Sequence, residues 1–280
     1  MKILPILLAA SLTVAVQAQE PLRIEGSNTF GEKLGPLLVR DFKKSNPGIP
    51  VELKRPGSGP GLAALIAGRA DIAPTSRPAN RSELLAAKKA GVKLRTQMIG
   101  NYGVAIIVNE ANPVKNLKPS QVRSLFNGKT ADWNKVRGTA APVNVYTLDR
   151  NTGARAGFQT LAMRGDQYSP SAKALPDYAA IVAAVAKDPN GIGYADMGPL
   201  PTGVRALLIN GEPPNSVSIY EQVYPYANSL YLYTVQGRET PAAKTFIRYA
   251  LSRNGQRIIR KAGFVPRLAA PPGAMTSIAP

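Results

Sequence analysis

The sequence predicts an α/β protein of two lobes, and three observations carry that expectation. Strand-like and helix-like patterns alternate along the chain, which calls for a parallel sheet covered by helices. The 280 residues suffice for two modest domains, and 44% of them are hydrophobic, so a substantial core can be buried. Gly and Pro, 25 of each, recur at element ends, which suits an ordered fold with many turns.

The elements follow in order. Residues 22–25 read as a strand and 30–44 as a helix. A second strand falls near 51–54, a helix near 61–68 and a third strand near 70–73. The helix pattern over 80–90 is closed by Gly91, a good C-terminal stop. This βαβαβ order is the source of the parallel-sheet expectation. Tyr102 to Asn109 is an apolar strand, and 119–126 a helix that begins at Pro119 and stops before Gly128. Strand 143–148 feeds a helix at 153–163. An Ala-rich helix, 178–187, ends at Asp188-Pro189-Asn190-Gly191. Strands follow near 192–195, 204–209 and 231–235, and residues 241–262 make one or two helices. No internal repeat or low-complexity linker interrupts the pattern.

The first residues read as a secretory leader. Lys2 supplies a basic start, residues 3–16 are almost wholly apolar, and Val16-Gln17-Ala18 places small residues for cleavage after Ala18. That run is shorter than the about 20 residues a membrane span needs. The competing reading is a buried N-terminal helix. The expected location is therefore the periplasm or the exterior.

Composition narrows the function. Cysteine is absent, so the fold stands on its core alone, and a lipid attachment point is missing too. Histidine is also absent, which excludes Ser-His-Asp and Cys-His catalysis and the commonest zinc sites. No dense Asp/Glu cluster offers a metal-dependent alternative, so neither an enzyme nor a metal or cofactor site is expected. The formal charge is +18, or +17 once Lys2 leaves with the leader (18 − 1). Such a charge attracts anions, whether a small ligand or an anionic envelope surface, and equally keeps a protein soluble. No basic run interleaves with aromatics, so nucleic acid is not an expected partner.

Three loop-to-helix junctions carry the candidate chemistry: Gly26-Ser27-Asn28-Thr29-Phe30, Gly57-Ser58-Gly59-Pro60-Gly61 and Asn151-Thr152-Gly153-Ala154-Arg155. Each sets a hydroxyl residue at or near a helix start with Gly close by. The first N–H groups of a helix lack internal partners, and the macrodipole makes that end electropositive. Gly lets the backbone approach a ligand closely. Three such ends brought together would enclose a tetrahedral anion. Helix capping selects the same residues, so each junction alone is equally explained as a cap. Arg77 in Thr75-Ser76-Arg77-Pro78, and Arg150 and Arg155 around the third junction, are candidate guanidinium forks for an oxyanion; a surface ion pair is the plain alternative.

At these same residues the chain resembles the phosphate-binding proteins of bacterial ABC importers, a branch of the type II periplasmic binding proteins. The first two junctions, the second running on through Leu62 to Gly68, resemble that family's anion loops. Residues 70–78 follow as they do there. Leu125-Phe126-Asn127-Gly128-Lys129 with Trp133, and Asp188 to Tyr194, resemble segments of its second lobe. The resemblance implies the type II periplasmic binding protein fold: two α/β lobes, a ligand cleft and two crossover strands. It places the crossings near 100–102 and 224–227, giving a lobe of 19–101 with 226–280 and a lobe of 102–225.

The resemblance also implies a monomer that binds inorganic phosphate, or a similar oxyanion such as sulfate or molybdate, and delivers it to an inner-membrane ABC permease. Carried over by position, Thr29, Phe30, Ser58, Ser76, Thr152, Gly153 and Ala154 bind the ligand; Asn28 of the first junction and the nearby Arg77, Arg150 and Arg155 complete the expected set. The chain departs from the family twice. Leu148 stands where an Arg often lies, and Ser76 where some members carry Asp. One missing charge-assisted bond lowers affinity about tenfold, which points to micromolar binding. An envelope-associated interaction module on the same fold, acting through its basic face, is the alternative role.

Overall fold

The computed structural model describes residues 20–150, 152–197 and 200–267. The expected leader and Asn151 lie outside the described residues. The first strand, β1 (Leu22–Glu25), leads into one continuous helical stretch, a π-helical turn (Phe30–Leu34) followed by α1 (Gly35–Ser45). Then come β2 (Val51–Lys54), α2 (Ser58–Ile66), β3 (Ala73–Thr75), α3 (Arg81–Lys89) and the long β4 (Leu94–Gly103). The chain continues through β5 (Ala105–Asn109), β6 (Asn116–Leu117), α4 (Pro119–Phe126), β7 (Asn144–Leu148), α5 (Gly153–Met163) and β8 (Lys173–Leu175). It goes on through α6 (Tyr178–Ala186), β9 (Gly191–Ala195), β10 (Val204–Ala206), β11 (Leu208–Ile209) and α7 (Ser216–Tyr220). The return is β12 (Ala227–Val235), with α8 (Pro241–Leu251), α9 (Arg253–Lys261) and β13 (Val265–Pro266) behind it.

Two sheets with separate cores make two α/β lobes. In the first lobe the order is β13-β4-β12-β3, and a parallel bridge between Ile24 and Ile72 ties the β1-β2 pair alongside. Its core joins Leu22, Ile24, Phe30, Leu38, Phe42 and Phe246. The second lobe holds β10-β5-β9-β7-β8 around an aromatic cluster in which the rings of Phe158 and Tyr194 stack 3.9 Å apart. The first sheet is mixed where a parallel one was expected. β1 and β2 are parallel, but β12 runs antiparallel to both β3 and β4, because it returns from the other lobe.

The helix starts obey local chemistry. Asn80 and Glu83 form a reciprocal capping box at α3. Thr152, Asp177, Thr240 and Ser252 cap α5, α6, α8 and α9 by accepting a backbone N–H.

The lobes are joined by two segments that lie side by side. Tyr102 pairs with Asn228 and Gly103 with Ala227, and Val104 N–H donates to the Tyr226 carbonyl at 3.2 Å. The expected single strand from 102 to 109 is therefore two, broken at Val104 where the chain passes between lobes.

Candidate functional site

The ends of β1, β2 and β3 set the site. Gly26 N–H donates to the Lys54 carbonyl (3.1 Å), Ser27 N–H to Pro74 (2.8 Å) and Gly57 N–H to Gly26 (3.0 Å). The first junction, the second junction and the turn after β3 are thereby sewn together. A side chain at Gly61 would collide with the Glu25 carbonyl and Gly26, so only glycine lets α2 start directly on the first junction.

A cleft of about 360 Å³ opens at this point, between the lobes. Asn28, Thr29, Ser58, Ser76 and Arg77 line it from the first lobe. Gly153, Gly157 and Thr160 of α5 line it from the second, and Tyr102 and Asn228 from the crossing strands. Ser58 Oγ accepts from Ser76 N–H at 3.2 Å and lies 3.4 Å from Ser76 Oγ. Tyr102 Oη donates to the Ser76 carbonyl at 3.3 Å. Burial pushes the Tyr102 phenol above its ordinary pKa, against the opposing hydrogen bonds to Ser76, Thr29 and Asn228. It is a neutral donor at physiological pH.

The starts of two helices, at Asn28–Thr29 and at Ser58–Gly59, border the cleft. Their first N–H groups have no partner within the helix. Arg77 is the lining cation, and its charge is balanced by Glu83, onto which it forks at 2.8 and 2.7 Å. The cleft thus presents hydroxyls, amides and helix ends, a set of donors suited to an anion without a full counter-charge.

The third junction arrives differently from the expectation. A side chain at Gly153 would strike Asn28, so the start of α5 sits directly on the first junction. Gly153 N–H donates to Glu32 Oε1 at 2.9 Å, so a carboxylate of the facing lobe already takes that helix-end donor. Thr152 does not line the cleft; it caps α5 by accepting from Arg155 N–H at 3.3 Å and donates to the Asp149 carbonyl at 2.9 Å.

Arg155 turns into the second lobe. Its Nη1 donates to the Leu148 carbonyl (2.7 Å) and Thr147 Oγ1 (3.3 Å), and its guanidinium lies 4.0 Å over the Tyr168 ring. Two acceptors and an aromatic face hold it there rather than in the cleft. Arg150 is exposed and outside the lining. Ala154 lines a smaller adjoining cavity of about 90 Å³ with Glu32 and Tyr178. The Phe30 side chain is buried in the core, and its N–H meets Ser27 Oγ at 3.4 Å.

Sequence reasoning did not single out Glu32, Lys33, Tyr102, Thr160 or Asn228. Lys33 Nζ forms an ion pair with Asp196 of the second lobe at 2.8 Å. Tyr102 stood at the start of an apolar strand and at a lobe crossing, with no ligand role assigned. Glu32, Thr160 and Asn228 carry no local motif; only the packing of one lobe on the other gives them a role.

The comparisons with known proteins agree with this geometry. The chain is 27% identical over 268 residues to the phosphate-binding protein PstS of Pseudomonas aeruginosa, covering 86% of this chain and 81% of that one. It is 26% identical over 256 residues to PstS of Bacillus subtilis, covering 89% and 82%. The fold superposes on the crystal structure of an ABC-type phosphate transport receptor from Vibrio cholerae with a TM-score of 0.78, at 25% identity over 87% of this chain and 99% of that one. At 18% identity, a possible phosphate binding protein from Planctomyces limnophilus shares the fold with a TM-score of 0.79, over 89% of this chain and 94% of that one. A family model described as a PBP superfamily domain matches residues 13–254. With two α/β lobes, a cleft between them and two crossing strands, the chain belongs to the PBP superfamily.

Proposed function

We propose that the chain is a solute-binding protein that holds inorganic phosphate in the interlobe cleft for an ABC importer. The observation that carries this reading is the convergence of Thr29, Ser58, Ser76 and Tyr102 on one cleft beside two helix starts. The relatives, phosphate-binding proteins and a phosphate transport receptor by name, support the same ligand.

In this reading Asn28, Thr29, Ser58 and Ser76 are the principal donors, and Gly153 brings the second lobe onto them. Arg77 contributes a guanidinium shared with Glu83. The lobes divide near 101 and 226. The role is binding rather than catalysis, and the protein works as a monomer that docks on an inner-membrane permease. Its leader is removed near Ala18 for export, which N-terminal sequencing of the secreted form checks. Among the described residues no helix is long and apolar enough to cross a membrane.

Calorimetry on the purified protein, stripped of carried-over ligand, tests the ligand. Micromolar phosphate binding is expected, with sulfate rejected less sharply than a carboxylate at position 76 would allow, because a serine hydroxyl can donate as well as accept. Absence of heat at millimolar phosphate, together with no thermal shift, overturns the proposal.

A further inference from the structure

A second cavity lies at the far end of α5. Its volume is about 430 Å³, and its walls are α4, the turn that closes α5, and Pro225–Tyr226 of the crossing segment. Leu161 lines both this cavity and the interlobe cleft. Three cations, Arg123, Lys129 and Arg164, line it against one carboxylate, Asp166. That carboxylate is already held. Arg123 forks onto it at 2.7 Å through two nitrogens, and Asn127 Nδ2 adds a bond of 2.9 Å. Lys129 and Arg164 have no carboxylate at ion-pair distance among the described residues.

Two of the lining residues stand out. Tyr226 is 2% exposed, and its hydroxyl is a buried side-chain polar atom with no hydrogen-bond partner among the described residues. A buried group left so is destabilising. Arg164, at the C-cap of α5, holds a left-handed backbone with φ 54°. Glycine or asparagine is the unstrained choice at such a cap. Arg137 holds the same backbone region at another helix end, so what Arg164 contributes is its charge on the cavity wall.

We propose that this cavity is a second ligand site, for a phosphomonoester. The phosphoryl group lies between Arg164 and Lys129 with the Ser124 hydroxyl alongside, since guanidinium and ammonium groups recognise that chemistry. The organic portion lies against Leu161, Pro225 and the Tyr226 ring. The cavity is larger than a bare oxyanion needs and falls within the roughly 300–1,000 Å³ typical of small-molecule sites. This site does not rest on the phosphate reading of the cleft.

The test uses the purified full chain with phenyl phosphate as the probe, titrated by calorimetry in saturating inorganic phosphate. One further equivalent of phenyl phosphate is expected. The double variant Lys129→Glu, Arg164→Glu should weaken it at least about tenfold, while inorganic phosphate binding is unchanged. Ser58→Ala should leave it intact. Tyr226→Phe keeps the ring and removes only the hydroxyl. It should leave phenyl phosphate binding within about twofold and the ligand-free Tm unchanged or higher, since the hydroxyl is buried without a partner. The proposal is overturned if phenyl phosphate gives no heat, if its binding survives the charge reversals, or if Ser58→Ala abolishes it.

Discussion

Ser58 shows how much one hydroxyl can organise. Its Oγ accepts from Ser76 N–H and lies against Ser76 Oγ, so it fixes the turn after β3 as well as facing the cleft. Ser58→Ala should weaken phosphate at least about tenfold in calorimetry, at a loss of about 1 kcal/mol or less in stability by thermal melting. Glu32 acts in the opposite sense. Its carboxylate brings negative charge to the cleft rim and occupies the first N–H of α5. Glu32→Gln should therefore tighten anion binding severalfold at low salt, an advantage that fades as ionic strength rises. In the second lobe, the Arg123 guanidinium, helped by Asn127, holds the Asp166 carboxyl down at about 2, against an ordinary 3.8. The unfolded chain thus binds a proton there at a higher pH than the folded chain does. The pair's contribution is present above the ordinary value and is lost as pH falls through about 2. Acid unfolding followed by circular dichroism should be less steep in Asp166→Asn than in the parent over that window.

Among elements, α5 has the most exacting position. Gly153 at its first turn leaves no room for a side chain against Asn28. Gly153→Ala should weaken phosphate binding and lower the ligand-free Tm, since its Cβ would collide with Asn28. Titration and melting of the same variant separate the two effects. Most elements were legible because their stops and starts are chemical: Pro119 opens α4, Gly128 follows its end, and β1 and β2 fall where the alternation places them. The first half of β4 was not legible. Arg95, Thr96 and Gln97 look like loop, yet they pair with Tyr233 and its neighbours in β12, and that partner lies more than a hundred residues away. The two-residue strands β6, β11 and β13 are likewise defined by their neighbours rather than by their own residues.

The whole molecule is two lobes with separate main cores, and this explains what the sequence could say about the site. The first two junctions lie on adjacent strand ends of one lobe, so local pattern was enough to bring them together. The third depends on how the second lobe docks, and there Arg155 found acceptors at home while Glu32 reached across instead. The Lys33–Asp196 pair also spans the lobes, with both side chains about half exposed. Its worth is at most about 1 kcal/mol, so Lys33→Ala should enlarge the ligand-free particle in small-angle scattering without preventing compaction on phosphate. The crossing strands govern the path of that compaction. Because Val104 and Tyr226 are bonded and Tyr102 faces Asn228, the connection is a ribbon rather than two independent strings. A ribbon bends readily across its thin dimension and resists shear in its own plane, so any opening of the lobes is expected to follow that bend, like the covers of a book. Tyr102 lies on the spine, where such a bend would leave its bond to the Ser76 carbonyl in place.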